Sequence, residues 1–453
     1  MMLALQRLPD MMLALLYIAA TAHALAPTAV PTRVDVAIAG GGLGGLAACA
    51  AMRARGIDAH CFEAAGELLR GSTGTGIMIS ANGMSALGAV DRRLPAAMRA
   101  RGVRITSQKI TKYGADGAEE KSVSMDATTF KDTFGHDQYN IAWSSAHEAL
   151  ADVVPPEVVH CGRAVAGATA AEGGVDVAFV DGSSVRAKLL VGADGIGSKV
   201  RSLVATGDDA PRYSGQLLWN AIVDSAALPL HGPGEVSFAT TGVDGRAILA
   251  FDAGGGKTSW YLTLPATEAP RSAAAIADGS FGGFGRPGST ADLEASFARF
   301  PDALACLAAT PPAEIFERRL GDRPPLGSWT GLDGRVVVIG DAAHPMVPSQ
   351  GQGTMVTWED AADLAALVAA EGASPAATKA FAARRGKRCD MVQKYSAASY
   401  MGKTSPTRQP RKIFRMLGNF RRIKQMYSWK HTLDELPGEP FARWAWSGPV
   451  VRD

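Results

Sequence analysis

The sequence predicts an α/β protein in which a parallel sheet, opened by a βαβ unit, is split by an inserted α+β domain built on an antiparallel sheet. Three observations carry this. VDVAIA (34–39) is a nearly continuous apolar run, as in strands buried on both faces of a parallel sheet. The same texture returns at LLVG (189–192) and RVVVIG (335–340). Between these, 206–325 alternates, with Trp219, Phe238, Phe251, Trp260 and Tyr261 set among glycine turns, as in a twisted sheet with one wet face.

The chain begins with a leader. Residues 11–26 are apolar and uncharged, Arg7 stands upstream, and Ala22-His23-Ala24 fits a small-residue cleavage site. A signal peptide over 1–24 and entry into the secretory route are therefore expected, with an uncleaved membrane anchor as the alternative. The junction Ala22–Pro27 resembles the cleavage motif of bipartite plastid leaders, which makes 25–33 a candidate short transit segment and the plastid a candidate destination in a host with secondary plastids.

The folded part begins at Val34. A helix over 46–56 stops at Gly56, and a second strand, IDAHCFE (57–63), completes a βαβ unit. A glycine-rich loop from Gly71 leads into a helix ending near 90; 99–135 is strand-rich; a helix over 144–153 stops before Pro155-Pro156; and 158–192 alternates as a meander. This assigns 34–205 and 326–400 to one split domain and 206–325 to the inserted one. It reads 265–290 as a loop, 358–370 as a helix and 401–453 as a C-terminal helical extension.

Composition narrows the function. The 453 residues carry a net charge of +2, without zinc-finger spacing, a sustained heptad or an RNA-binding signature, so nucleic acid is not an expected partner. The five cysteines are widely spaced without a CxxC, and the eight histidines form no pair at ligand spacing, so neither a disulfide framework nor a metal site is expected. Cys49 and Cys61 read as core residues.

The chemistry sits in three motifs. Gly40-Gly-Gly42-Leu43-Gly44-Gly45 lies between a strand and a helix, the context a dinucleotide fingerprint requires. Gly40 permits the turn, Gly42 lets the backbone approach a pyrophosphate, and Gly45 lets helix and sheet pack closely, while the helix N-terminus presents unsatisfied N–H groups. Glu63, at the end of the second strand, is the acid expected to accept from ribose hydroxyls.

GADGIGSKVR (192–201) and GDAAHPMVPSQGQG (340–353) resemble the second and third signatures of class A flavoprotein monooxygenases, the aromatic-hydroxylase family, in order and spacing over roughly 34–400. The resemblance implies an FAD-binding Rossmann-like domain, with Asp341 on the ribityl chain and Pro348, Gly351, Gln352 and Gly353 around the isoalloxazine edge. Asp194 then belongs to the turn serving the pyrophosphate region and reduction. It further implies NADPH or NADH as a transient reductant, dioxygen as co-substrate and a flavin C4a-hydroperoxide as oxidant, so no acid–base pair is required of the protein. The chain departs from the family twice: His147 replaces an arginine that supports FAD, and Met355 stands where asparagine is frequent. His147 reads either as an FAD-side residue or as a helix-surface histidine, and Arg70 as a cationic FAD contact or a solvated loop arginine.

Tyr213-Ser-Gly215, GGGKTSWY (254–261) and Asp322-Arg-Pro-Pro325 are similar to the corresponding stretches of zeaxanthin epoxidases. That points to a small apolar substrate: a carotenoid, or alternatively a phenolic or other aromatic compound. A geranylgeranyl reductase-like flavoprotein, which shares the FAD motifs without oxygen chemistry, is the alternative of another class. Residues 401–431 contain nine Lys/Arg, no acid and interleaved apolar side chains, the pattern either of a helix on an anionic membrane surface or of one packed over the FAD domain.

Overall fold

The computed structural model describes residues 31–68, 75–114, 116–241, 246–268, 286–287, 290–401 and 423–434. The leader, most of the 25–33 segment, Arg70, most of the 265–290 loop and residues 402–422 lie outside them.

The apolar run Arg33–Ala39 lies inside the first sheet, in parallel register with Ser184–Gly192 on one side and Ala59–Phe62 on the other. Val159–His160 extends the sheet beyond Ala59–Phe62, and Val336–Val338 extends it beyond Ser184–Gly192, both in parallel. Val36, Ala37 and Ile38 are fully buried, which is why this strand carries no polar alternation after Asp35. The helices Leu43–Arg53 and Gly353–Glu371 pack against each other over this sheet. The expected meander is the antiparallel pair Val165–Ala171 and Gly174–Phe179 leading into Ser184–Gly192.

Among the described residues the second sheet has eight strands, with Arg212–Asp224, Lys257–Pro265, Ala247–Gly254 and Glu235–Thr240 as consecutive neighbours and Phe316–Asp322 beyond Arg212–Asp224. Its far edge differs from the expected domain boundary. Ser107–Tyr113 pairs in parallel with Glu235–Thr240, and Glu119–Asp126 pairs with Ser107–Tyr113. The stretch 107–126, assigned from sequence to the first domain, is thus built into the second sheet. The outer strand of this hairpin is exposed along its whole length and the inner one only partly buried, so its own pattern does not say where it docks, and its partner lies more than a hundred residues away. The second domain has its own core, in which the indole N–H groups of Trp219 and Trp260 donate to Glu317 Oε2 and Thr310 Oγ1, each at 3.0 Å.

Among the described residues, two of the contacts between the units lie beside the site. Leu218 and Leu320, from the second sheet, close on Val347 beside the 348–353 loop, with Tyr261 packed against them. Tyr261 and Ser259 also accept the Gly76 N–H through their hydroxyl oxygens at 2.7 and 3.0 Å, fastening the short strand Gly76–Ile79 to the sheet. A Cβ at Gly76 would stand 2.7 Å from the Phe251 ring, so only glycine permits this approach.

Of the basic extension, residues 423–434 are described; Ile423, Met426 and Trp429 face the protein, whereas Leu433 is exposed. Met426 is fully buried, and Ile423 and Trp429 pack on the same core as the first sheet. The reading of a helix packed over the FAD domain therefore holds for this part. Among the described residues no helix is long and apolar enough to cross a membrane.

Candidate cofactor site

The fingerprint loop is shaped by contacts only glycine allows. Gly40 has φ +99°, and a Cβ there would lie 2.6 Å from the Ala193 carbonyl oxygen, so the turn before Asp194 rests directly on it. A Cβ on Gly45 would come within 1.8 Å of Gly40 O, and one on Gly44 within 2.6 Å of Thr357 Cγ2. Gly44 is thus a helix-packing residue. Leu43 opens the helix Leu43–Arg53 with its side chain in the core, so only its backbone faces the site.

Gly42 is different. A Cβ there would meet nothing within 4 Å, and it caps the helix without any side-chain hydrogen bond to the helix N–H groups. Open space in front of unsatisfied N–H groups at a helix start is what a pyrophosphate needs. Glu63, buried at the tip of its strand, accepts the Gly41 N–H at 2.7 Å through Oε2 and the Ala65 N–H at 2.8 Å through Oε1. Its carboxylate is held beside the glycine loop, where ribose hydroxyls can reach it. These features fit FAD.

His147, which replaces the family's arginine, is no surface residue. It is buried, stacks on Trp143 with ring centroids 4.6 Å apart, and donates from Nε2 to Gly41 O at 2.7 Å. It steadies the fingerprint loop from behind, as a backbone brace. Met355 is a core residue: a Cβ on Gly83 would fall 2.1 Å from its sulfur, so the thioether fills the space that glycine leaves.

Asp194 accepts from the Ser198 hydroxyl and from the Lys199 N–H at 2.7 Å, with Gly195 at φ +77°. Its carboxylate is spent on shaping its own turn. Asp341 stands in contrast. Solvent reaches its side chain, yet protein surrounds it closely enough that desolvation raises its carboxyl pKa above the ordinary range, with His344 opposing. Among the described residues no hydrogen bond to the carboxylate is present, and a Cβ on Gly353 would lie 4.0 Å from Oδ1. Asp341 is therefore the candidate contact best placed to accept from a ligand hydroxyl in the cleft.

Pro348–Gln350 forms a 3₁₀ turn, Gly351 adopts φ +60°, and the helix Gly353–Glu371 starts at once, five residues earlier than expected, again without a side-chain cap. The side chain of Gln352 does not face the cleft. It is buried, with Oε1 accepting from Asn82 Nδ2 at 3.0 Å and Nε2 donating to Ser80 Oγ at 3.1 Å. Only its backbone can serve a flavin; its amide locks the loop.

Three residues were missed in the sequence. Arg201, the last residue of the second signature, is buried and donates to Ala342 O at 2.9 Å and Ala343 O at 2.7 Å while paired with Asp209. It welds the second signature to the third, and its place in the motif was the available signal. Arg323, in the Asp322–Pro325 stretch, donates to Ile196 O at 3.0 Å and Asp209 O at 2.9 Å, which gives that stretch a structural role. Thr357 packs against both Gly44 and Gly340, joining the fingerprint helix to the GD turn, and no pattern in the sequence announced it. His344, Asp360 and Cys389 have ligand atoms within 4.8 Å of one another, but Asp360 already accepts from Arg385 Nε at 2.8 Å, so the group is an ion-pair cluster.

A split dinucleotide domain with an acid at the second strand, a free carboxylate on the GD turn and a glycine loop facing a second sheet defines a flavoprotein oxidoreductase. The chain belongs to the FAD binding domain family, which matches residues 33–269 and 331–399. It is similar to aurachin C monooxygenase/isomerase of Stigmatella aurantiaca, 31% identical, covering 79% of this chain and 87% of that one. It is also similar to 3-hydroxybenzoate 6-hydroxylase 1 of Aquipseudomonas alcaligenes, 30% identical over 80% of this chain and 87% of that one. Spinach (Spinacia oleracea) chloroplastic zeaxanthin epoxidase is 30% identical over 74% of this chain but only 47% of its own length, so the expected special nearness to that branch gives way to membership of the wider family. Among solved structures, Klebsiella pneumoniae HpxO complexed with FAD and uric acid superposes with a TM-score of 0.70 at 22% identity, covering 86% of this chain and 92% of that one. The chain is an FAD-dependent monooxygenase of class A.

If Glu63 holds FAD as its position suggests, Glu63→Ala weakens binding by about 1.5–3 kcal/mol, the scale of a charge-assisted hydrogen bond. Glu63→Gln keeps a side-chain oxygen for Gly41 N–H and loses less. An unaltered Kd for Glu63→Ala in a flavin fluorescence titration overturns the assignment.

Proposed function

We propose that this protein uses NADPH or NADH to reduce its FAD and inserts one oxygen atom of dioxygen into a compact, largely apolar substrate, most simply an aromatic compound. When bound, FAD supplies the redox chemistry and oxygen activation. The protein residues bind, orient and exclude water. The helix start at Gly42 and the carboxylates of Glu63 and Asp341 are the contacts for the cofactor, while the 348–353 loop offers backbone N–H groups at the start of a 19-residue helix, whose dipole favours negative charge.

One observation carries the substrate reading. Leu218 and Leu320 of the second sheet are packed on Val347, one residue before the cofactor loop, with Tyr261 on their flank. An apolar wall at that junction suits an aromatic ring and keeps water from the reacting centre. The likeness to a 3-hydroxybenzoate hydroxylase supports the same class. A carotenoid is the second reading, favoured by the match with zeaxanthin epoxidase.

Product analysis by mass spectrometry under ¹⁸O₂, against a panel of phenols and carotenoids with each nicotinamide, tests this reading. One labelled oxygen in an aromatic product is the expected result. Reductant consumption without labelled product from any panel member tells against it. Asp341→Ala should yield apoprotein, or an enzyme that consumes reductant without stoichiometric product; a normally coupled variant removes Asp341 from the site.

A further inference from the structure

The family match ends at residue 399, yet residues 423–434 are built into the cofactor domain. Met426 is buried in its core, and Tyr427 stands edge-on to Phe130 and Phe134 with centroids 5.3 and 5.5 Å away. Two polar chains run inward from this segment. In the first, Arg388 donates to Gln425 O at 2.8 Å and Met426 O at 2.7 Å, and its guanidinium also holds Glu359 Oε2 at 2.6 Å and Oε1 at 2.7 Å. Glu359 Oε1 accepts from Asn82 Nδ2 at 2.8 Å, and the same Asn82 amide donates to Gln352 Oε1 at 3.0 Å. That chain ends in the 348–353 loop.

In the second, Asp434 is forked by Arg55 at 2.7 and 2.8 Å and joined to His431 Nε2 at 2.7 Å, while His431 Nδ1 lies 3.1 Å from Asp363 Oδ1. Arg385 continues it, 3.8 Å from Asp363 Oδ2 and 2.8 Å from Asp360 Oδ1. Asp360 Oδ2 accepts from Gly340 N–H at 3.2 Å and His344 Nε2 at 2.6 Å. This chain ends on the turn that carries Asp341. Glu359, Asp360 and Asp363 have no exposed surface, so water cannot replace a partner lost along either chain.

We infer that residues 423–434 form a C-terminal clasp that completes the flavin site: once docked, it holds the Gln352 loop and the Gly340-Asp341 turn in cofactor-binding geometry, with Arg388 and Asp363 as positioning residues. The clasp acts on the cofactor site whatever the substrate or the reductant.

The test uses the full chain. Met426→Asp places a charge in the clasp's buried anchor while keeping every side chain of the two polar chains and the Met426 carbonyl that Arg388 binds. It should raise the FAD Kd about tenfold, the size of one or two buried hydrogen bonds lost, and shift the absorption band of bound flavin. Arg388→Ala keeps the anchor and removes the link to Gln425 and Met426; it should act in the same direction and decides the matter if Met426→Asp fails to fold. Leu264→Ala, in the core of the second sheet, lowers thermal stability at a distance from the clasp and should leave the FAD Kd within about twofold, as an independent site does. An unchanged Kd and flavin spectrum in the folded clasp variants overturns the inference. So does an equal loss of FAD affinity in Leu264→Ala, which would make the effect one of general destabilisation.

Discussion

Arg385→Met is expected to destabilise the apoprotein by about 3–5 kcal/mol, because removing one partner of a buried ion network leaves charge without compensation. Arg385 is 1% exposed, and its guanidinium lies 2.6 Å from Glu359, 2.8 Å from Asp360 and 3.8 Å from Asp363, three carboxylates with no exposed surface. Other cations remain nearby: Arg388 on Glu359, His344 on Asp360, and Arg384 with His431 on Asp363. They soften the loss towards the lower end of the range without removing it, since each already has a fixed place. Methionine matches the stem and so isolates the charge from the packing. Urea denaturation of the apoprotein measures the effect; a loss below about 1 kcal/mol, ordinary for a surface substitution, would mean that the neighbouring cations suffice.

Gly42→Val should cost the apoprotein no more than about 1 kcal/mol, the scale of a poorer helix N-cap, and raise the FAD Kd by at least about a hundredfold, or about 2.7 kcal/mol. The cause lies in the backbone. Gly42 has φ −73° and ψ −172°, which any residue adopts, and a Cβ there meets nothing within 4 Å. The fold does not require this glycine, so its purpose is the space in front of it. Gly45→Ala is the contrasting case. Its Cβ would lie 1.8 Å from Gly40 O, so the helix must move off the loop, and thermal stability and FAD binding fall together. Equal FAD affinity for Gly42→Val and wild type would place the pyrophosphate elsewhere. A drop in apoprotein stability matching that of Gly45→Ala would show that the glycine is structural.

Much of the site was legible because its elements are local. Gly40, Gly42, Gly45 and Glu63 belong to one βαβ unit, in which strand, turn and helix follow within thirty residues and each residue type has a steric or hydrogen-bonding reason. The GD turn and the 348–353 loop were recognisable through the resemblance of residues 340–353 to a family signature, although the helix that follows starts at Gly353, earlier than its composition indicated. Side-chain direction was less legible. Gln352 and Asp194 stand in the right motifs, but the first turns its amide inward to Asn82 and Ser80, and the second satisfies its own turn. A motif fixes where the backbone goes, whereas the direction of a polar side chain depends on which buried group needs a partner.

From the sequence alone came the class of fold, since apolar period, glycine placement and turn chemistry act over a few residues; the cofactor and the order of its binding segments came from the resemblance of GADGIGSKVR (192–201) and GDAAHPMVPSQGQG (340–353) to class A flavoprotein monooxygenases. Tertiary structure decided everything that depends on distant partners. It moved 107–126 into the second sheet, through pairing with Glu235–Thr240. It made His147 a brace for the fingerprint loop and Arg201 the weld between two signatures. It also turned part of a basic extension, by composition equally fit for a membrane surface, into a segment anchored by Met426 and two ion chains. The physical reason is common to all of these: burial free energy and the satisfaction of buried charge are properties of groups brought together by the fold, and spacing along the chain does not encode which groups those are.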